Sequence, residues 1–144
     1  MSETNSQLAR RWFDDVWNRR KEETVKELLH PDIVGQMEGR VVSSPEEFLQ
    51  ARREMLTALP DLRVEVQSVV SEGEEVAVRW GAKATGPAGP VAFRGVTWLV
   101  FEGGRIVRGW DSWNQALLMQ QLAVQMESIA KQARPESQKS ANQD

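Results

Sequence analysis

Cysteine is missing from the 144 residues of the chain, which excludes disulfides, thiol nucleophiles and thiolate metal sites. Tyrosine is missing too, and histidine occurs once, at His30. Zinc and non-haem iron centres usually draw on two or three imidazoles, so neither a metal nor another cofactor is expected. No apolar run approaches the ~20 residues of a membrane span, and the N-terminus is polar rather than signal-like. That predicts a cytoplasmic protein with no membrane partner. Basic residues are no majority: 18 Lys and Arg stand against 21 Asp and Glu, a net charge of -3. Phosphate binding needs a concentrated basic surface, so nucleic acid is not an expected partner. Gly-x-Ser-x-Gly, Walker and dinucleotide fingerprints are absent as well.

What is present is material for one packed domain. Hydrophobic residues make up 40% of the chain and charged residues 27%, a balance that supports a core and excludes wholesale disorder. Residues 1–134 are expected to form a single domain. From Pro135 the only apolar residue is Ala141, so residues 135–144 are expected to be a disordered tail. Six Trp occur against four Phe. Trp is costly to bury unless its indole N–H finds a partner, so several of the six are expected to line a semi-polar cavity, although any single Trp is more often a large core filler.

Periodicity divides the chain in two. Leu8, Trp12, Phe13, Val16 and Trp17 recur at helical spacing, with Arg10, Arg11, Asp14 and Asp15 opposite. A second short helix carries Val25, Leu28 and Leu29 and is expected to stop at His30-Pro31, where His30 complements the helix end. Ile33 to Val42 reads as a short strand with a polar centre. Ser44-Pro45-Glu46-Glu47 is a strong helix start, with the N-cap, Pro at the first turn and Glu three residues on. Beyond Leu62 the period becomes alternating. Strands are expected over Leu62 to Val70, Val76 to Trp80 and Val91 to Phe101, with Thr85 to Pro90 as a loop. A last strand, Arg105 to Trp113, leads into a helix bearing Leu117, Leu118, Leu122 and Ile129. Short turns make the long strands antiparallel neighbours, and helices must cover one face. The fold class is therefore α+β, a curved antiparallel sheet with helices on its concave side and a conical cavity between.

One segment carries chemistry. Along the last strand, Val107, Gly109, Asp111 and Trp113 alternate with Ile106, Arg108 and Trp110, which places Asp111 on a face that also buries apolar groups. A carboxylate there needs a partner, and Arg79, on a strand otherwise lined by Val and Trp, is the expected one. Such a pair is either the core of a site or a structural ion pair.

Gly103-Gly104-Arg105-Ile106-Val107-Arg108-Gly109-Trp110-Asp111, followed by Leu117 to Leu122, resembles the closing segment of the SnoaL-like polyketide cyclases, in the nuclear-transport-factor-2-like superfamily. Trp17-Asn18, Leu28-Leu29-His30-Pro31-Asp32, Pro60-Asp61-Leu62 and Glu75 to Trp80 match further parts of the pattern, so the resemblance spans residues 8 to 122. It implies a helix-lined cone with a pocket, usually dimeric, needing no metal or cofactor. Val96, Trp98 and Val100 alternate with Phe93, Thr97, Leu99 and Phe101, so both faces of that strand carry apolar weight and a homodimer through the sheet is expected. The resemblance also implies Asp111 as general acid/base in an aldol closure. The family's His after the central strand is absent around Lys83 to Gly86, and Asn114 stands at its usual second Asp.

Two functions are therefore open. In the first, Asp111 is the catalytic acid/base of a cyclase or isomerase. Arg79, Trp80 or Asn114 then holds the substrate oxygen, and Trp113, Trp12 and Trp17 complete the pocket. In the second, the same pocket binds a small apolar ligand or a partner protein without catalysis, and Asp111 is tied to Arg79. Epoxide hydrolysis ranks behind both, because it would need a second carboxylate where Asn114 stands.

Overall fold

The computed structural model describes residues 3–37 and 39–133. The tail expected from Pro135 lies outside the described residues. The chain opens with α1 (Asn5–Phe13), started by a reciprocal capping box in which Thr4 Oγ1 accepts from the Gln7 N–H and Gln7 Oε1 accepts from the Thr4 N–H. A π-helical turn, Asp14–Asn18, continues α1, with the Arg19 N–H reaching the Asp14 carbonyl at 2.8 Å. Next come α2 (Glu22–Leu28), β1 (Leu29–Met37), β2 (Arg40–Val42) and α3 (Pro45–Ala58). Four strands follow: β3 (Arg63–Glu72), β4 (Glu75–Gly86), β5 (Gly89–Glu102) and β6 (Arg105–Trp113). The last element is α4 (Gln115–Gln132).

The six strands form one curved, unclosed sheet in the order β2-β1-β6-β5-β4-β3, with the helices on one side: an α+β fold. β3 to β6 are antiparallel neighbours, as their short turns require. The sheet is not wholly antiparallel, however, because β1 pairs with β6 in parallel. Those two strands are far apart in sequence, and a long connection permits parallel pairing where a hairpin cannot.

Three local expectations need correction. His30-Pro31 does not end α2; it lies inside β1, where the register with β6 shifts between Leu29 and Val34. Proline is tolerated there because an irregular stretch asks for no ladder N–H. His30 Nδ1 accepts from the Asp32 N–H at 3.0 Å instead of serving a helix end. The single strand expected over Ile33 to Val42 is a hairpin, turned at Gly39 with φ +75. Thr85 to Pro90 is no open loop either: Thr85 pairs with Pro90 and Gly86 with Gly89, leaving only Pro87 and Ala88 at the tip.

Packing follows the alternation. Val76, Val78, Trp80, Ala82 and Ala84 of β4 face the helices, as do Val91, Phe93, Thr97, Leu99 and Phe101 of β5. Leu8, Trp12, Phe13 and Val16 of the first helix close over them. Two side-chain amides finish the sheet where strands run out. Asn18 bonds both the N–H and the carbonyl of Val64 on edge strand β3, each at 2.8 Å. Gln121 of α4 does the same for Ala92, at 3.1 and 2.9 Å, where β5 extends past the end of β6. Each amide takes the place of a neighbouring peptide group.

Candidate functional site

Between helices and sheet lies a cavity of about 110 Å³. Its walls are aromatic: Trp12, Phe13 and Trp17 from the first helix, Phe48 from α3, and Trp80, Phe93 and Trp113 from the sheet. Four of the six Trp therefore line it, while Trp98 and Trp110 stand exposed on the outer face. Asp111 is the one titratable side chain among the described lining residues.

The π-helical turn brings Trp12 and Trp17 to one wall. Five residues along an α-helix rotate a side chain by about 140° off its starting face. One residue accommodated in a wider turn restores the alignment, and both rings then pack on Phe48, with centroids 5.1 and 6.2 Å away. The π-helical segment ends at Asn18, so the Val16 carbonyl, in its last residues, has to be satisfied elsewhere. Buried Arg52 of α3 does so through Nε at 3.0 Å. Burial pushes the Arg52 guanidinium below its ordinary pKa, and Glu22 at 3.6 Å pulls the other way. Buried Asp15 ties the same turn to α2 by accepting from Thr24 Oγ1 at 2.8 Å. Among the described residues, neither the Trp12 nor the Trp17 indole N–H has a protein partner, and no buried side-chain polar atom is left unsatisfied. Both nitrogens are thus open to a ligand or to water.

The sheet wall is built in rungs. Trp80, Gly95 and Trp113 share one, and Val78, Thr97 and Asp111 share the next. Gly95 has no alternative: a Cβ there would lie 2.6 Å from the Ser112 carbonyl oxygen and 2.7 Å from the Trp80 ring. Its absence lets the Trp80 indole lie across β5 and donate to Thr97 Oγ1 at 2.9 Å. Thr97 in turn donates to Asp111 Oδ1 at 2.7 Å. The inward face of β6 is not strictly Val107, Gly109, Asp111 and Trp113. A register shift between Val100 and Phe101 buries Ile106 on that side in place of Val107.

Asp111, Trp80, Trp113, Trp12 and Trp17 are brought together as the sequence predicts, but Arg79 and Asn114 are not. Arg79 lies one residue out of phase with Val78 and Trp80, pairs with Val96, and is exposed on the outer face. The sheet itself separates it from Asp111, so no Asp111–Arg79 pair forms in either a catalytic or a structural role. Asn114 is the N-cap of α4, where its Oδ1 accepts from the Leu117 N–H at 2.9 Å. The Trp80 N–H is already used by Thr97. The lining residue bonded to Asp111 that sequence reasoning missed is Thr97. Its signal was a hydroxyl at an inward position of β5, between Gly95 and Leu99 in an otherwise apolar alternation. Among the described residues, no cluster of three or more His, Cys, Asp or Glu is placed to hold a metal.

Solved structures share this architecture. AclR of Streptomyces galilaeus, a candidate hydroxylase, is 29% identical with a TM-score of 0.73, over 83% of this chain and 84% of AclR. IdmH of Streptomyces antibioticus, a candidate polyketide cyclase, is 24% identical with a TM-score of 0.75, over 84% and 99% of the two chains. A nuclear-transport-factor-2-like protein of unknown function from Burkholderia pseudomallei is 22% identical with a TM-score of 0.71, over 81% and 98%. The last two likenesses show the fold alone. No curated protein matches the sequence. Among the described residues no helix is long and apolar enough to cross a membrane. The sequence pattern of the SnoaL-like polyketide cyclases matches residues 7–122, from α1 into α4 and across every cavity-lining residue, and the chain belongs to that family.

Proposed function

We propose that the protein is a cofactor-independent cyclase or isomerase in which Asp111 exchanges protons with a small apolar carbonyl compound. The observation that carries this reading is a carboxylate set in an aromatic cavity whose other described lining residues do not titrate. Asp111 takes a proton from the carbon beside the carbonyl, and the C–H electron pair becomes the enolate double bond as the carbonyl pair moves to oxygen. The enolate carbon then attacks a second carbonyl of the same molecule, or is reprotonated at another position, and Asp111 returns the proton. With Arg79, Asn114 and the Trp80 N–H unavailable, the open indole N–H groups of Trp12 and Trp17 hold the substrate oxygen. About 110 Å³ falls short of the roughly 300–1,000 Å³ of pockets for drug-sized ligands. In this conformation it suits a reacting portion of about one ring.

The test is α-proton exchange of small cyclic ketones in deuterium oxide, followed by proton NMR. Asp111→Asn keeps the shape and should slow exchange by roughly two to four orders of magnitude while leaving ligand binding in place. Equal exchange by both proteins, with binding retained, would establish the second reading, a non-catalytic binder of a small apolar ligand. The largely apolar, aromatic walls favour that second reading as well.

Self-association through the outer face completes the proposal. Val70, Ala77, Trp98 and Trp110 form one rung of the sheet there, and Trp98 is 44% exposed. Charges flank that rung in mirrored order. Glu75 and Arg79 stand on either side of Ala77 on β4, and Arg94 and Glu102 on either side of Trp98 on β5. Glu75 shares a rung with Val100 and Arg108, and Arg94 shares one with Gly81 and Glu65, so both ends of the face carry charges of both signs around the apolar rung. A twofold axis through the rung lays the Trp98 and Trp110 centre of one copy against that of the other, with the charges at its rim.

A further inference from the structure

We propose that Thr97 is a positioning residue for Asp111, and that the Trp80 indole locks its hydroxyl as a one-way donor. An indole N–H can only donate, so at 2.9 Å it must occupy a lone pair of Thr97 Oγ1. The hydroxyl has one hydrogen, and the Asp111 Oδ1 acceptor lies 2.7 Å away. Thr97 is 5% exposed. Turning that hydrogen elsewhere would leave a buried donor unpaired beside a carboxylate. The order of donors is therefore fixed: Trp80 to Thr97 to Asp111.

Two consequences follow for the carboxylate. A hydrogen bond to the charged form favours that form, so Thr97 holds Asp111 ready as a base. Protonation at Oδ1 would set its new hydrogen against the Thr97 hydroxyl hydrogen, so Oδ1 is held as an acceptor. No other titratable group among the described residues faces Asp111 across the cavity. The first helix presents Trp12, Phe13 and Trp17, α3 presents Phe48 and Met55, and the described lining residues of the neighbouring strands are uncharged. Gly95 belongs to the same device, because a side chain at that position would push the Trp80 ring out of reach of Thr97. The catalytic use of this relay rests on the proposed function. The relay itself does not.

The test reads the relay without turnover. In the nitrogen-15-labelled protein the Trp80 indole signal, identified by its loss in Trp80→Phe, should shift with pH. Its midpoint should equal that of the Asp111 carboxyl carbon, and Asp111→Asn should abolish the shift. Thr97→Val should leave the Trp80 signal flat and raise the Asp111 midpoint by about one pH unit, while Thr97→Ser restores both. A flat Trp80 signal in the parent protein, or an Asp111 midpoint unmoved by Thr97→Val, overturns the relay. If Thr97→Val does not fold, Trp80→Phe carries the test: releasing the hydroxyl should raise the midpoint by a smaller amount, and an unchanged midpoint overturns the proposal. A titrating relay in a protein that exchanges no ketone protons rejects the catalytic reading alone.

Discussion

The two faces of the central strands put similar residues to opposite uses. On the inner face Trp80 and Trp113 are packed by Phe93, whose ring centroid lies 6.0 and 5.0 Å from theirs, and the Trp80 N–H is spent on Thr97. On the outer face Trp98 and Trp110 are half exposed, and the Trp98 N–H reaches Glu75 at 3.3 Å beside solvent. The carboxylates differ in the same way. Asp111 accepts from Thr97 inside the cavity, whereas Asp61 accepts from Thr85 at an exposed position near the hairpin tip. Inside, each polar atom is part of a geometry that one wrong atom disrupts. Outside, a change is absorbed by water.

The sharpest way to break that contrast is to add the same methyl group on each face. Gly95→Ala has no room, since the nearest atoms are the Ser112 carbonyl oxygen and the Trp113 Cβ, both at 2.6 Å, in fixed backbone and core. It should cost about 3 kcal/mol by urea denaturation, at the upper end for overpacking. It should also separate Trp80 from Thr97. Gly81→Ala faces outward, where the new Cβ meets only the Gln67 amide at 2.9 Å, a side chain that can move. Its effect should stay within about 0.5 kcal/mol. Equal losses would mean that the inner face is no more tightly specified than the outer.

Trp98→Ala tests what the outer face is for. If the Trp98 and Trp110 rung is the centre of a dimer, its removal should weaken association by about 2 kcal/mol, roughly 30-fold, as for a central aromatic anchor. The melting temperature of the monomer should be nearly unchanged. Sedimentation equilibrium at low and high salt reads both the anchor and the flanking charges. A parent protein that stays monomeric at micromolar concentration would end the dimer reading.

Most of the fold was legible, because it rests on local periodicity. Ser44-Pro45-Glu46-Glu47 starts α3 as read, with Ser44 Oγ accepting from the Glu47 N–H at 3.2 Å. The inward run of β5 follows its alternation. What stayed hidden depends on register between distant segments. The β1–β6 pairing is parallel and joins residues some seventy positions apart, beyond any local signal. The π-helical turn is invisible because Trp12 and Trp17 look like ordinary helical core until the extra residue is seen. Arg79 is the instructive case. Its own strand placed it opposite Val78 and Trp80, but without the β4–β5–β6 register nothing said that Asp111 shares a rung with Val78 rather than with Arg79.

The two side-chain amides that complete the sheet offer a finer test. Asn18 holds Val64 beside the Trp17 wall, and Gln121 holds Ala92 far from it. Asn18→Ala should cost about 2 kcal/mol, since two partly buried backbone groups lose partners, and Gln121→Ala about 1 kcal/mol at its wetter site. Only Asn18→Ala should also weaken ligand binding, by letting the π-helical turn and Trp17 drift. Equal effects on binding would show that the cavity wall does not depend on this amide.

The smallest expected effect is at Asp61, and it supplies the outer counterpart to the Thr97–Asp111 bond. The Thr85 hydroxyl and N–H, the latter at 2.9 Å, hold the Asp61 carboxyl below the usual carboxylate range. A group whose folded pKa is depressed contributes stability above its unfolded value of about 3.9 and loses it as pH falls through the lower folded value. Asp61→Asn keeps an acceptor oxygen for Thr85 but removes the charge. The parent should therefore be slightly the more stable at pH 7, and the difference should shrink as pH drops below about 4. Denaturation curves for both proteins between neutral and acid pH read this directly. A gap that persists unchanged in acid would assign the Thr85 contacts to shape rather than charge. It would also remove Asp61 as the solvent-exposed reference against which the Thr97–Asp111 bond is compared.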